Sequence, residues 1–416
     1  MKILYLLQEL PYPPSEGIRL KAFNVLEYMV QSHKCDILAF GDHTAQEKTR
    51  ALRQLLPKVG FVRTFSAPAG PRLTLSRLWN TTIHLSPPSF ARFRSEGLSQ
   101  TLRALVREKH YDVVHYDVIN MAQYLPAGRG TASVHSANDV TSLRCAGEAE
   151  ESPNPLLRLI RLASARLLTR FERRMYPQFT KVHVVSEVEA SALRTICQDA
   201  DVEVIAPAVD HQFVQHGGHP RATTRSSPYR LLFTGSVAIP GILNGLTTFL
   251  GGAYLGVRAE VPNVDMRVLA RNASDGVLRM LSTFPNVTAT SWVEDYVTEM
   301  ASADVVVFPE RGGSGIRHRV LQAMALGKAV IGSPEALSGI AASSGVDCII
   351  AHSQPDFAKG LVKLLCDPEA RKGIGDSARQ LVLREYTLDT IGPRWLALYE
   401  RATQKFCSTN PRTAIS

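Results

Sequence analysis

The stretch PERGGSGIRHRVLQAMALGKAV, residues 309–330, reads as the end of a buried strand, a loop of three glycines and a helix that opens on arginine. The strand is DVVVFP (304–309), and the helix shows in Ile316, Val320, Leu321 and Met324, apolar residues at helical spacing. Glycines between the two let backbone N–H groups come close to an oxyanion, and a helix N-terminus adds a partial positive charge. Arg317 in the first turn opposes that dipole unless an anion lies beside it. The stretch is therefore read as an anion site at the carboxyl end of a parallel strand. The plainer alternatives are glycines that only turn the chain and an arginine that only meets water. The phosphate loop G-x-x-x-x-G-K-[ST] and the dinucleotide spacing G-x-G-x-x-G are both absent here.

Outward from this loop, short β-rich runs alternate with helical patterns, which argues for parallel sheets covered by helices. KILYLL (2–7), CDILAF (35–40), FVRTF (61–65), DVVHY (112–116), TASVH (131–135), KVHVVS (181–186) and VEVIA (202–206) form a first set. YRLLFTG (229–235), VDMRVLA (264–270), NVTAT (286–290), DVVVFP (304–309), AVIGS (329–333) and DCII (347–350) form a second. Between them QHGGHPRATTRSSP (215–228) is polar and turn-forming, without an apolar period. The expected fold class is α/β. Two doubly wound, Rossmann-like halves, 1–214 and 229–386, are joined by a linker at 215–228, face a central cleft and are followed by a terminal segment at 387–416.

Of the 416 residues 45% are hydrophobic and 20% charged, enough to bury the cores of two domains. No run approaches the ~18 apolar residues of a membrane span, and MKILYLLQELP reads as a first strand rather than a signal peptide. A cytoplasmic protein is expected. Cys35, Cys145, Cys197, Cys348, Cys366 and Cys407 are scattered, with no C-x-x-C pair, and read as reduced thiols rather than metal ligands. The formal charge of +9 favours anionic partners such as nucleotide phosphates, lipid headgroups or nucleic acid. LLRLIRLASARLLTRFERRMY (156–176) sets leucines at helical spacing among Arg158, Arg161, Arg166, Arg170, Arg173 and Arg174, with Glu172 the only acid. Two readings stand: a helix lying on an anionic membrane surface at the inner face, or one packed on its own sheet with its arginines in water.

FTGSVAIPGILNGLTTFL (233–250), NVTATSWVEDYVTEMASADVVVFP (286–309) and GSGIRHRVLQAMALGKAVIGSPEALSGI (313–340) resemble the donor half of family 4 retaining glycosyltransferases of the GT-B fold. The subgroup seen in exopolysaccharide clusters is the nearest in flavour. PYPPSEGIRLKAFNVLEYM (11–29), YDVVHYDVINMAQYLP (111–126), SVHSANDV (133–140) and VHVVSEVEASALR (182–194) leading to VIAPAVD (204–210) resemble its first half, in the same order. The resemblance implies transfer of a sugar from a nucleoside diphosphate sugar to an acceptor hydroxyl with retained anomeric configuration. The departing phosphate oxygen then takes the acceptor proton, and neither a metal ion nor a bound cofactor is required. The acceptor is a glycan, a lipid-linked or a small molecule, and nucleic acid is not an expected partner.

The same resemblance assigns roles by position. Gly235 and Ser236 flank the diphosphate, Asn244 and Arg271 lie near it, and Gly313, Ser314, Gly315 and Ile316 offer backbone N–H groups. Arg317 brings a guanidinium to phosphate. Trp292 and Val293 meet the nucleobase, with plain core the other reading of Trp292. From the first half Gly17 and Arg19 approach the diphosphate, while His135 lies against the transferred sugar as the catalytic histidine; His115, inside a strand, is the weaker candidate. LDTIGPRWLALYERA (388–402) looks like the terminal helix that crosses back to the first half. Two departures matter. Where many relatives carry two glutamates eight positions apart, this chain has Ser314 and Gln322, and an amide on the ribose hydroxyls costs about tenfold in affinity, ~1.4 kcal/mol. SVAIPGILNG (236–245) has no basic residue, so phosphate charge falls to Arg317, Arg319, Arg271 and Arg19. An epimerase or hydrolase of the same fold is disfavoured by the lack of a carboxylate pair in the matched loops. A non-catalytic, glycosyltransferase-like binding subunit is the third reading.

Overall fold

The computed structural model describes every residue except 15–16, 67–87, 151, 153, 218–227, 313–314 and 411–416. Its strands form two sheets, and every pairing within them is parallel. The first contains β1 (Lys2–Leu7), β2 (Lys34–Gly41), β3 (Val62–Ser66), β4 (Val113–Asp117), β5 (Ala132–Asn138), β6 (Lys181–Val184) and β7 (Val202–Val204), in the order β3-β2-β1-β4-β5-β6-β7. The second contains β8 (Tyr229–Ser236), β9 (Val264–Arg271), β10 (Val287–Thr290), β11 (Val305–Phe308), β12 (Ala329–Gly332) and β13 (Ile349–Ile350), in the order β10-β9-β8-β11-β12-β13. Each strand marked in the sequence is present.

The central strands are buried over most of their length, β4 and β11 at every residue. Helices cover both faces of a parallel sheet, so such strands read as continuous apolar runs instead of alternating ones. In each sheet the strand order reverses once, between β1 and β4 and between β8 and β11. Ligands of doubly wound folds bind outside the carboxyl ends of the strands at such a reversal.

The chain divides into two compact units, each with its own apolar core. One comprises Met1–Ala149, Asn154–Ala206 and the chain from Ile391 on; the other comprises Pro207–Thr390. The first crossover thus lies ahead of the polar stretch 215–228, most of which is outside the described residues. Residues 207–217 join the second unit for a local reason: Val209 donates its N–H to the Tyr386 carbonyl at 2.7 Å, Phe213 is buried against Tyr296, and Arg379 donates to the Val214 carbonyl at 2.9 Å.

The final helix, Leu388–Thr409, packs on the first unit. Its Trp395 ring lies 4.3 Å from His183 and 5.6 Å from His115, and the Tyr399 hydroxyl meets His115 Nδ1 at 2.9 Å. Both aromatic side chains are buried. Trp395→Ala is expected to cost ~3–5 kcal/mol in the urea transition that carries the first unit; a loss below 1 kcal/mol would mean that the helix is not part of that core.

Candidate functional site

In the second unit, β8 and β11 end beside one another and the loop after β11 turns over their carboxyl ends. Glu310, two residues past β11, is fully buried. A buried carboxylate needs cations, and two guanidinium groups supply them. Arg319, in the first turn of the helix His318–Ala325, pairs with Glu310, donates to the Thr234 carbonyl at the end of β8 and lies over the Phe308 ring at 5.5 Å. Burial lowers its pKa, an effect that the Glu310 carboxylate opposes. Gly235 is needed at this point because a Cβ there would occupy the space of the Arg319 guanidinium.

Arg317 approaches Glu310 from the other side, with Nε 3.4 Å from Oε2. Its Nη1 donates to the Gly315 carbonyl at 2.7 Å and its Nη2 to the Gly312 carbonyl at 2.9 Å. The side chain therefore clasps its own loop, with three of its five N–H groups engaged by described residues. Gly312 takes the left-handed conformation, φ 76°. Upstream the loop is pinned by the Arg311 N–H on the Gly241 carbonyl at 3.2 Å and by the Ser333 hydroxyl on the Glu310 carbonyl at 2.5 Å. Gly245, in the helix Pro240–Gly251, lets the loop pass, since a Cβ would overlap the Pro309 carbonyl oxygen.

Of the residues singled out in the sequence, Gly235, Ser236 and Arg271 stand together at the ends of β8 and β9, where Ser236 and Arg271 are register partners. Arg317, Gly315 and Ile316 lie in the loop after β11; Gly313 and Ser314 are outside the described residues. Asn244 is on the exposed face of its helix. Trp292 is not core: it is 73% exposed, past the end of edge strand β10, with half-buried Val293 beside it. Gln322 is buried, and its amide donates to the Asp210 carboxylate at 2.8 Å. One of its two amide N–H groups is thus committed within the protein.

Three further residues complete this site. Tyr296 bonds Thr234 Oγ1 at 3.1 Å, with Arg319, Arg271 and Asp210 close enough to act on it electrostatically. Burial raises its phenol pKa. Asn272, at φ 56°, donates to Ser236 Oγ at 3.1 Å. Nothing in the local sequence marks Tyr296, Asp210 or Asn272, because their neighbours come from other strands.

Gly17, Arg19 and His135 belong to the first unit. Gly17 opens the helix Gly17–Met29, and Arg19 Nε lies 3.7 Å from the Glu9 carboxylate. His135 departs from its expected role. β5 runs on to Asn138, so His135 is inside the strand, completely buried, stacked on Phe179 at 4.9 Å and against Tyr176 at 4.7 Å. Its Nδ1–H donates to the Tyr116 carbonyl at 3.1 Å, and burial pushes the imidazole down to about 3. A neutral ring with no open face cannot touch a reacting sugar, and His135 is a core residue. His115 is likewise buried and held by Tyr399.

The other side of β5 carries a polar network instead. Lys21 Nζ reaches Asp117 Oδ1 at 2.5 Å, Ser136 Oγ at 2.6 Å and Asn138 Oδ1 at 2.6 Å, which satisfies all three ammonium protons. Ser136 in turn donates to His183 Nδ1 at 2.9 Å, and His183 Nε2–H donates to the Ile205 carbonyl at 2.8 Å. Burial alone raises the Asp117 carboxyl, but Lys21 and His115 outweigh it and hold the group at about 2. Two strained residues, Val118 at φ 60° and Asn138 at φ 66°, sit at the carboxyl ends of β4 and β5.

With this arrangement established, the comparisons fall into place. The chain belongs to the glycosyltransferases: residues 17–213 match Glycosyltransferase Family 4, and residues 228–367 match Glycosyl transferases group 1. Its two doubly wound units are those of the GT-B fold. Sucrose-phosphate synthase from Thermosynechococcus elongatus superposes with a TM-score of 0.66 at 15% identity, over 98% of this chain and 100% of that one. HepE of Anabaena, solved in complex with UDP, gives 0.66 at 14% identity over 96% and 100%. A mutant of S. aureus TarM, in complex with Fondaparinux, alpha-GlcNAc-glycerol and UDP, gives 0.65 at 10% over 96% and 100%. At these identities the likeness speaks for the fold. No curated protein matches the chain.

Two variants test the geometry. His135→Phe removes a base whose folded pKa is about 3 against 6.5 when unfolded, so protonation weighs on the wild type only below pH ~6.5. As pH falls from there, the variant should gain on the wild type by about 1.4 kcal/mol per pH unit in urea melts. A pH-independent difference would contradict the neutral core assignment. Gln322→Glu would place a second carboxylate against Asp210, so one of the pair must hold a proton. Its melting temperature relative to wild type should be lower at pH 8 than at pH 5, and equal deficits would refute the contact.

Proposed function

We propose that this glycosyltransferase moves a sugar from a nucleoside diphosphate sugar to an acceptor hydroxyl with retention, in the making of a polysaccharide or glycoconjugate in the cytoplasm. The observation that carries the reading is the pair Arg317 and Arg319 around Glu310, at the β8/β11 reversal and beneath Gly235. The diphosphate lies over the loop 310–317, its charge met by Arg317, by Arg319 and by Arg271. As the bond from the anomeric carbon to the phosphate oxygen breaks, the acceptor oxygen bonds to that carbon on the same face, and its proton passes to the leaving phosphate oxygen. Fixed guanidinium groups stabilise the growing charge without reorganising, which is where such sites derive most of their rate.

The solved relatives favour a uridine nucleotide and a glycan acceptor: HepE has been solved with UDP-glucose and TarM with UDP beside glycan ligands. A glycosyltransferase-like subunit that binds a glycan or a partner without transfer is the second reading, favoured by the commitment of Gln322 to Asp210.

Thermal-shift titration with UDP, GDP, ADP, CMP and dTDP separates the two readings. A nucleotide at ~100 times its dissociation constant stabilises by about 2.7 kcal/mol. Arg319→Met should weaken that nucleotide at least tenfold and cost ~3–5 kcal/mol of stability, because it leaves the buried Glu310 with Arg317 alone. Adding Glu310→Gln should recover stability but not binding; a double variant that binds like wild type would remove Arg319 from the site. No shift with any of these nucleotides at millimolar concentration would favour the second reading.

A further inference from the structure

The helix Pro155–Met175 of the first unit changes character along its own axis. Its second half buries Ala165, Leu168, Glu172 and Met175, and Glu172 accepts from the Ser142 N–H and hydroxyl. Its first six residues, 155–160, are all exposed: Leu156 is 66%, Leu159 62% and Ile160 53% exposed. Asn154 caps it by accepting from the Leu156 and Leu157 N–H groups, so the apolar end is formed helix. Side chains three or four positions apart share one stripe. Along the outward stripe Leu156, Leu159 and Ile160 come first and exposed Arg166, Arg170 and Arg174 follow, with Arg166 about 9 Å along the axis from Ile160 at 1.5 Å per residue.

A solvated helix has a charged outer face, and clustered exposed aliphatic side chains mark a contact surface. Here the charge that follows the cluster is of one sign. Glu172, the only acid on the helix, is buried; in the helix before it Glu148 is paired with Arg144 at 2.9 Å, and Glu150 is exposed. An apolar tip followed by arginines matches the cross-section of one leaflet, acyl chains and then phosphates.

We propose that this stripe docks the first unit on an anionic bilayer, with Leu156, Leu159 and Ile160 in the acyl boundary and Arg166, Arg170 and Arg174 on the lipid phosphates. The purpose, reaching a lipid-linked acceptor, rests on the transferase reading; the docking itself does not need it. No helix among the described residues is long and apolar enough to cross a membrane, so the contact is interfacial.

The test is sedimentation of the full chain with phosphatidylcholine vesicles, with and without 30% phosphatidylglycerol, at ~0.1 M salt. Wild type should pellet with the anionic vesicles and not with the neutral ones. Leu159→Glu with Ile160→Glu should lower the partition at least tenfold, and changing the three arginines to Gln by on the order of a hundredfold, at about fivefold each. Circular-dichroism melting shows whether the variants fold. Equal partition of wild type and both variants, or none to anionic vesicles, overturns the proposal. So does binding lost with the arginines but untouched by the glutamates, which is charge without insertion. A dimer in sedimentation velocity that the glutamates break, with no vesicle binding, would make a second copy the occupant. Vesicle binding that persists where no nucleotide binds would sink the transferase reading alone.

Discussion

Placing a carboxylate where no water reaches it obliges the fold to bring cations to it, and the second unit is organised around that obligation. Glu310 sits at the strand reversal, so its partners must come from elements that converge there: Arg319 from the following helix and Arg317 from the loop itself. Those two side chains in turn decide the rest. Arg319 ties β8 to β11 and forbids a side chain at 235; Arg317 fixes the carbonyls of Gly312 and Gly315 and hence the course of the loop. Removing either partner alone leaves a buried charge, which is worse than removing both. A site built this way is held in shape by its own cations.

The first unit uses buried charge differently. Lys21 has three acceptors and Asp117 a fixed counter-ion, so that network is closed on itself. The histidines around it and across the sheet, His115, His135 and His183, are all pushed down by burial and stay neutral. One unit keeps its cations near a surface where an anion can reach them, and the other seals them. The difference is in exposure and partners, not in residue type.

Much of the fold was legible because parallel strands covered on both faces are unbroken apolar runs, and DVVVFP or KILYLL admit few other readings. The glycine loop was legible for a similar reason: its chemistry is local. What failed to show was everything set by distant neighbours. His135 looked like a strand-end residue because TASVH is followed by polar SAN, yet β5 continues through those residues and Phe179 and Tyr176 close over the ring. Gln322 invited comparison with a ribose-binding glutamate, and nothing near it in sequence announces Asp210, 112 positions away. Trp292 was undecided between core and contact, and only its position beyond an edge strand settled its exposure.

The first unit is assembled from both ends of the chain, with the whole of Pro207–Thr390 inserted between its parts. Trp395 and Tyr399, which cover His115, His183 and Tyr5, therefore leave the ribosome only after the whole of the second unit. During synthesis the second unit can close as soon as its own segment has emerged, while the earlier-made sheet waits with an aromatic and polar face uncovered. The vulnerable species during synthesis is thus the chain that has emerged past the second unit but not yet through Trp395 and Tyr399, and a stop between the two would damage the unit that was begun first.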